Sequence, residues 1–243
     1  MTPHTIRRCA ILLALLASGA TPGAWAAADC IAVIGTGSVG GTLGPRFATL
    51  GERIVYGSRT PDDERVQALV ARTGKGASAD RQAAAARTCG TVVLAVPWAA
   101  VTELVPSLGS LDGKLLLDVT NPLTVRDGRE VAIPVQGSGG EVVQSLAPGA
   151  RVVKAFNTIH FTVMAHPATA GGPVSVLISG DDDGAKARVA ELAAGIGFRP
   201  IDVGPLRTAR YTEAMALLLV SRLVSGRTPF DFQVHPWPAR PAD

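Results

Sequence analysis

Aromatic side chains make up only 5% of the 243 residues. That is too few rings to build the stacking platform that binds single-stranded nucleic acid. A surplus of charge is missing as well. The formal net charge is +3, and two of the cations, Arg7 and Arg8, lie in an acid-free segment, residues 1–26. Without that segment 21 basic residues face 20 acidic ones. No electrostatic footprint for DNA, RNA or anionic lipid is left. Histidines number four and cysteines three, and no Ser-His-Asp arrangement, metal-ligand cluster or carboxylate pair can be assembled from the pattern. Internal repeats and low-complexity linkers are absent, so the length is read as one domain with its own core.

The first 26 residues read as a leader. Arg7-Arg8 supplies a positive start, Ile11 to Ala17 an apolar stretch, Pro22 and Gly23 a break, and Ala24-Trp25-Ala26 an A-x-A cleavage site. This predicts an exported, periplasmic protein with no stable membrane span after cleavage. The alternative is an uncleaved anchor, because no charge occurs from Cys9 to Ala28. The domain expected after the leader covers residues 27–225, with a Pro- and aromatic-containing tail over 226–243.

What the chain does have is glycine in a telling place. Gly35-Thr36-Gly37-Ser38-Val39-Gly40 follows the apolar run Ile31 to Ile34. Glycines at this spacing, between a strand and a helix, let the backbone turn tightly and approach a pyrophosphate at the helix N-terminus. The next strand, Arg53 to Tyr56, ends not in the acid that would hold the ribose hydroxyls of NAD but in Gly57-Ser58-Arg59-Thr60. Two hydroxyls and a guanidinium suit a 2′-phosphate, so the pair of motifs reads as NADP(H) binding. The plainer reading is a Gly-rich loop beside a surface arginine.

The element order supports the first reading. Strands are expected over 31–34, 53–56, 77–79, 91–96, 114–119, 151–156, 174–179 and 199–203. Helices are expected over 38–50, 61–72, 80–87, 101–111, 185–196 and 208–225, and residues 127–140 read as loop. Alternation of this kind predicts an α/β, doubly wound, mainly parallel sheet of the Rossmann type. Ligands in such sheets lie beyond the carboxyl ends of the strands. Those ends carry Gly35-Thr36, Ser58-Arg59, Val96-Pro97-Trp98, Thr120-Asn121-Pro122 and Phe156-Asn157-Thr158. The first two are expected to hold the adenosine phosphates and the last three to lie nearer the nicotinamide.

Five segments carry a family resemblance: Ile34 to Gly40, Gly57-Ser58-Arg59, Leu94-Ala95-Val96-Pro97, Asp118 to Pro122, and Lys154-Ala155-Phe156-Asn157-Thr158. Their order resembles that of NADPH-dependent coenzyme F420 reductases and, similarly, the reductase domains of the STEAP metalloreductases. The resemblance covers about residues 30 to 205. It implies direct hydride transfer between NADPH and a deazaflavin (F420) or flavin acceptor. It also implies that Thr36, Ser38, Val39, Ser58, Arg59, Val96, Pro97, Ala155 and Asn157 lie against the dinucleotide. The family is usually cytosolic, and this chain departs from it in carrying a leader.

Hydride transfer between two rings needs positioning and water exclusion more than an acid or base, so no catalytic side chain and no metal are assigned. The acceptor is expected to stack near Pro97, Asn121 and Asn157. His160 is either a proton donor to it or a capping residue. Trp98 either walls the ring site or packs at a helix top. Phe230, Phe232 and Trp237 either fold over the cleft or pack on a neighbouring subunit, which leaves a homodimer open. Asp181-Asp182-Asp183 reads as a helix cap rather than a metal cluster. Cys30 and Cys89 precede strands that lie side by side in the doubly wound order, at the edge away from the cofactor. They are either a disulfide or two free thiols. The class that competes with an oxidoreductase is a non-catalytic NADP(H)-binding redox sensor or partner module.

Overall fold

A computed structural model describes residues 30–126, 130–228 and 230–235. The leader expected over residues 1–26 and Trp237 lie outside the described residues. In chain order the strands are β1 (Cys30–Ile34), β2 (Arg53–Ser58), β3 (Ser78–Arg81), β4 (Thr91–Leu94), β5 (Leu115–Asp118), β6 (Thr124–Arg126), β7 (Glu130–Ala132), β8 (Arg151–Lys154), β9 (Ser175–Gly180) and β10 (Arg199–Asp202). The helices are α1 (Gly40–Ala48), α2 (Glu64–Thr73), α3 (Gln82–Thr88), α4 (Val101–Ser107), α5 (Gly139–Leu146), α6 (Phe161–Ala165), α7 (Asp183–Gly195) and α8 (Ala209–Val224).

Eight strands form one sheet in the order β10-β9-β8-β5-β4-β1-β2-β3. From β3 to β8 all neighbours are parallel; β9 runs antiparallel to β8, and β10 parallel to β9. Every residue of β1, β4 and β5 is buried. Their Val, Ile and Leu runs therefore do not alternate, as expected of strands covered on both faces. Leu43, Phe47, Leu69, Met164, Val189 and Leu192 pack one face under α1, α2, α6 and α7. Ala85, Val101, Val105 and Val143 pack the other under α3, α4 and α5.

Local chemistry fixes the helix ends. Asp63 caps α2 by accepting the Arg65 N–H (2.9 Å), and Gly74 ends it at φ 62°. Asp182 caps α7 by accepting the Ala185 N–H (2.7 Å), which is the helix-cap role expected of the Asp run. Asp181 instead accepts the Leu206 N–H (2.9 Å). The stretch read as loop over 127–140 contains β7, which pairs antiparallel with β6, and it runs into α5. That helix opens on the Ser-x-x-Glu pattern of a capping box: Ser138 accepts the Glu141 N–H (3.1 Å), and its hydroxyl, rather than its backbone N–H, donates to the Glu141 carboxylate (2.7 Å).

Cys30 and Cys89 are joined by a disulfide, with Cα atoms 5.0 Å apart. The free-thiol alternative is thereby set aside. The bond lies at the amino edge of the sheet, as the strand order requires. Lys114 Nζ donates to the carbonyls of Ala86, Arg87 and Cys89 at the end of α3 (3.0, 2.9 and 2.6 Å). An ammonium there complements the helix C-terminus, while partial burial lowers its pKa.

Tyr56 lies wholly buried under Gly44, with its hydroxyl 2.7 Å from Thr73 Oγ1. Burial pushes its phenol up from 10.0 to about 12, against smaller opposite effects of the Thr73 hydrogen bond and the Arg72 charge. The folded value lies above the free one. Its contribution to stability is therefore full below pH 10 and is lost as the pH rises through about 12. Tyr56 and Tyr211 are the two tyrosines. In a Tyr211→Phe variant the phenolate absorbance should rise only near pH 12. A full rise near pH 10 would show that the ring is not held in the core.

Candidate functional site

The Gly-rich turn works through three different constraints. Gly35 adopts φ +109°, and a Cβ there would overlap the carbonyl oxygen of Ala95. At Gly40 a Cβ would overlap the carbonyl oxygen of Gly35. The first glycine is thus demanded by the turn and the third by packing of α1 against β1. Gly37 is demanded by neither, because a Cβ there meets nothing within 4 Å. The space over Gly37 opens into a cavity of about 750 Å³.

That cavity runs along the carboxyl ends of β2, β1 and β4. Of the expected binding residues it is lined by Gly35, Thr36, Gly37, Ser58, Arg59, Thr60, Val96 and Pro97. Ser58 Oγ accepts the Thr60 N–H (3.1 Å), which curls the loop after β2. Arg81 donates to the Arg59 carbonyl (2.7 Å) and braces the same loop from β3. The Arg59 guanidinium has no partner among the described residues. Arg65, from the first turn of α2, lines the cavity too and is equally free among the described residues. The sequence reading missed it; a second arginine six residues past Arg59, just inside a capped helix, was the available signal. Ser38 faces an adjoining cavity of about 290 Å³ with Thr42, Arg65, Arg72 and Phe161.

The remaining expected residues lie deeper. Gly40 and Ala155 are fully covered, and Val39 packs on the core at the start of α1. Asn121 and Asn157 bond to each other. Asn121 Nδ2 donates to the Asn157 carbonyl (2.8 Å), and Asn157 Nδ2 donates to Asn121 Oδ1 (3.1 Å). Asn157 is 5% exposed, and its Oδ1 has no hydrogen-bond partner among the described residues. A buried acceptor left open in this way is explained by an absent donor. Phe156, just before it, takes φ 62°, which a side chain of this size rarely adopts. Edge-on contacts to Phe47 (6.2 Å) and Phe198 (5.9 Å) hold it there. Strain of this kind collects at ligand sites.

Behind the asparagine pair stands a buried ion cluster. Lys154 Nζ lies 2.9 Å from Asp118 Oδ2 and 2.8 Å from Glu213 Oε1, and all three side chains are wholly buried. Asp118 Oδ1 accepts the backbone N–H (2.9 Å) and the hydroxyl (2.7 Å) of Thr120. Glu213 accepts the N–H groups of Gly139 (2.8 Å) and Gly140 (3.1 Å) at the start of α5. Burial alone would lower the Lys154 ammonium, but the two carboxylates outweigh it and hold its pKa above the ordinary lysine range.

Several side chains flagged by the sequence turn out to have local roles. Trp98 packs at the helix top, close enough that a Cβ on Gly139 would sit 3.0 Å from its ring. His160 immediately precedes α6, bonded to Thr162 Oγ1 (2.8 Å) and tilted against the Phe161 ring (centroids 4.4 Å apart). Phe230 and Phe232 do not line the cavity as a lid. They meet edge-on at 5.3 Å, and the tail docks on this chain's own β9, where Ser175 N–H donates to the Phe232 carbonyl (2.9 Å).

A doubly wound sheet with this turn and this strand-end cavity defines an NADP-dependent oxidoreductase. Residues 30–122 match the family model "NADP oxidoreductase coenzyme F420-dependent". The F420-dependent NADP reductase of Methanocaldococcus jannaschii is 31% identical over 205 residues, covering 78% of this chain and 90% of that protein. The chain belongs to this family. A solved structure from Arthrobacter sp. FB24, assigned as an F420-dependent NADP reductase, superimposes with a TM-score of 0.76 at 32% identity, over 85% of this chain and 99% of that one. Rat metalloreductase STEAP3 is 31% identical over 191 residues, which is 78% of this chain but only 37% of the rat protein.

Proposed function

We propose that the chain transfers hydride between NADP(H) and a deazaflavin (F420) or flavin-like acceptor. The observation that carries the reading is Gly37: no neighbour in the fold demands a glycine there, and it faces the cavity. A pyrophosphate brought against that backbone meets the N-terminus of α1. Ser58, Arg59, Thr60 and Arg65 take the 2′-phosphate. Val96, Pro97, Asn121 and Asn157 face the nicotinamide, and the open Asn157 Oδ1 accepts an N–H of its carboxamide. Bound NADPH supplies the hydride; the chain's own residues orient the rings and keep water out. The acceptor class rests on the relatives of that name. The leader and the disulfide together support export to an oxidising compartment.

The test is an acceptor screen at the NADPH absorbance with F420, FMN, FAD and ferric chelates, with and without chelator. Oxidation of NADPH by a deazaflavin or flavin, unchanged by chelator, is expected. Tight NADPH binding with no turnover on any acceptor would replace the enzyme by a redox-sensing module.

A further inference from the structure

We propose that Glu213, acting through Lys154 and Asp118, is a positioning residue for the nicotinamide end of the cleft; this rests on the NADP(H) reading above. The path is continuous. Glu213 belongs to α8, and its carboxylate joins the start of α5 to Lys154 on β8. Lys154 pairs with Asp118 on β5, whose other oxygen fixes the backbone and hydroxyl of Thr120. Asn121 follows Thr120 directly, and Asn157 follows Lys154 by one strained turn. The ion cluster therefore sets both strand ends that present the asparagine pair.

The alternative role is stability alone, and the chemistry argues against it. Removing two carboxylates and an ammonium from water is costly, and apolar groups of similar volume often stabilise as well or better. What the cluster adds is fixed geometry. Two carboxylates face one ammonium, and the excess negative charge lies on the N–H groups that open α5, where the helix dipole favours it. The fit around it is tight: a Cβ on Gly139 would come within 3.1 Å of both Glu213 Oε1 and Pro122 Cδ. Displacing Glu213 thus disturbs the start of α5, which Trp98 and Pro122 also crowd, as well as the strand ends that carry the asparagines. The 2′-phosphate end, on the far side of β1, has no contact with the cluster.

That asymmetry is measurable by titrating the Glu213→Gln variant calorimetrically with NADPH and with 2′-phospho-ADP-ribose, which lacks the nicotinamide. NADPH should bind about tenfold more weakly than to the wild type, the effect of one impaired hydrogen bond, while the fragment changes by less than about twofold. Thr120→Val leaves the ion cluster whole and removes the hydroxyl bond to Asp118 while the backbone N–H bond stays, and it should give the same split with a smaller loss for NADPH. It also decides the matter if Glu213→Gln does not fold. Equal weakening of both ligands, or of neither, overturns the proposal and leaves the NADP(H) reading standing. A wild-type chain that binds neither ligand overturns the reading and the proposal together.

Discussion

Removing the disulfide, by Cys30→Ala with Cys89→Ala, should lower the melting temperature by roughly 8–16 °C and leave NADPH affinity unchanged. The bond closes a loop of 59 residues. On the chain-entropy account, opening it releases about 4 kcal/mol of constraint on the unfolded chain. For a domain of this size each kcal/mol is worth about 2–4 °C. Both cysteines are buried, at 4% and 0% exposure, so alanine brings no polar atom into the core. Nucleotide binding is spared because the bond sits at the amino edge of β1 and β4 and the cavity at the carboxyl edge. Calorimetry of the oxidised, the reduced and the double-variant protein checks this, with intact mass after alkylation reporting the thiols. Two alkylated cysteines in folded, unreduced protein, or a melting temperature indifferent to reductant, would refute it.

The same pair shows why so much of the architecture could be read from the sequence. Once strands starting at Ile31 and Thr91 are placed side by side, Cys30 and Cys89 fall at one edge without any further information. The turn after β1 is equally legible, because its glycines answer to backbone sterics that act within a few residues. Where the reading failed, the cause was either a masked local signal or a partner far along the chain. Ser138 and Glu141 spell a capping box, but Gly139 and Gly140 between them lower helix propensity and make α5 look like loop. Those glycines are there because Trp98, Pro122, Glu213 and Leu206 crowd the helix start. Glu213 itself sits in an apolar helix pattern, and its partners are 73 and 74 residues away at α5. No spacing rule finds a buried ion cluster assembled from β5, β8 and α8. The tail aromatics were ambiguous for a related reason: a tail whose rings pack on each other while its backbone docks on β9 and a tail that closes over a cleft call for the same residues.

Arg59→Ala should weaken NADPH binding by about ten- to a hundred-fold and leave NADH binding nearly unchanged. The Arg59 guanidinium lines the cavity beside Ser58 and Thr60 and is without a partner among the described residues, so its removal breaks no internal bond. It is also exposed, so the fold loses little by its truncation. What is lost is a charged hydrogen bond to a phosphate, worth about 1.5–3 kcal/mol. Arg59→Lys should recover only part of the affinity, since a point charge replaces a planar fork that can meet two phosphate oxygens at once. Arg65 faces the same space from α2. Arg65→Ala should therefore discriminate against NADPH in the same sense, and the double variant should lose the preference for NADPH over NADH. Both nucleotides titrated against the wild type and all four variants decide the point. Equal losses for NADPH and NADH would show that Arg59 serves the loop rather than the 2′-phosphate, and the cofactor preference would have to arise elsewhere in the cavity.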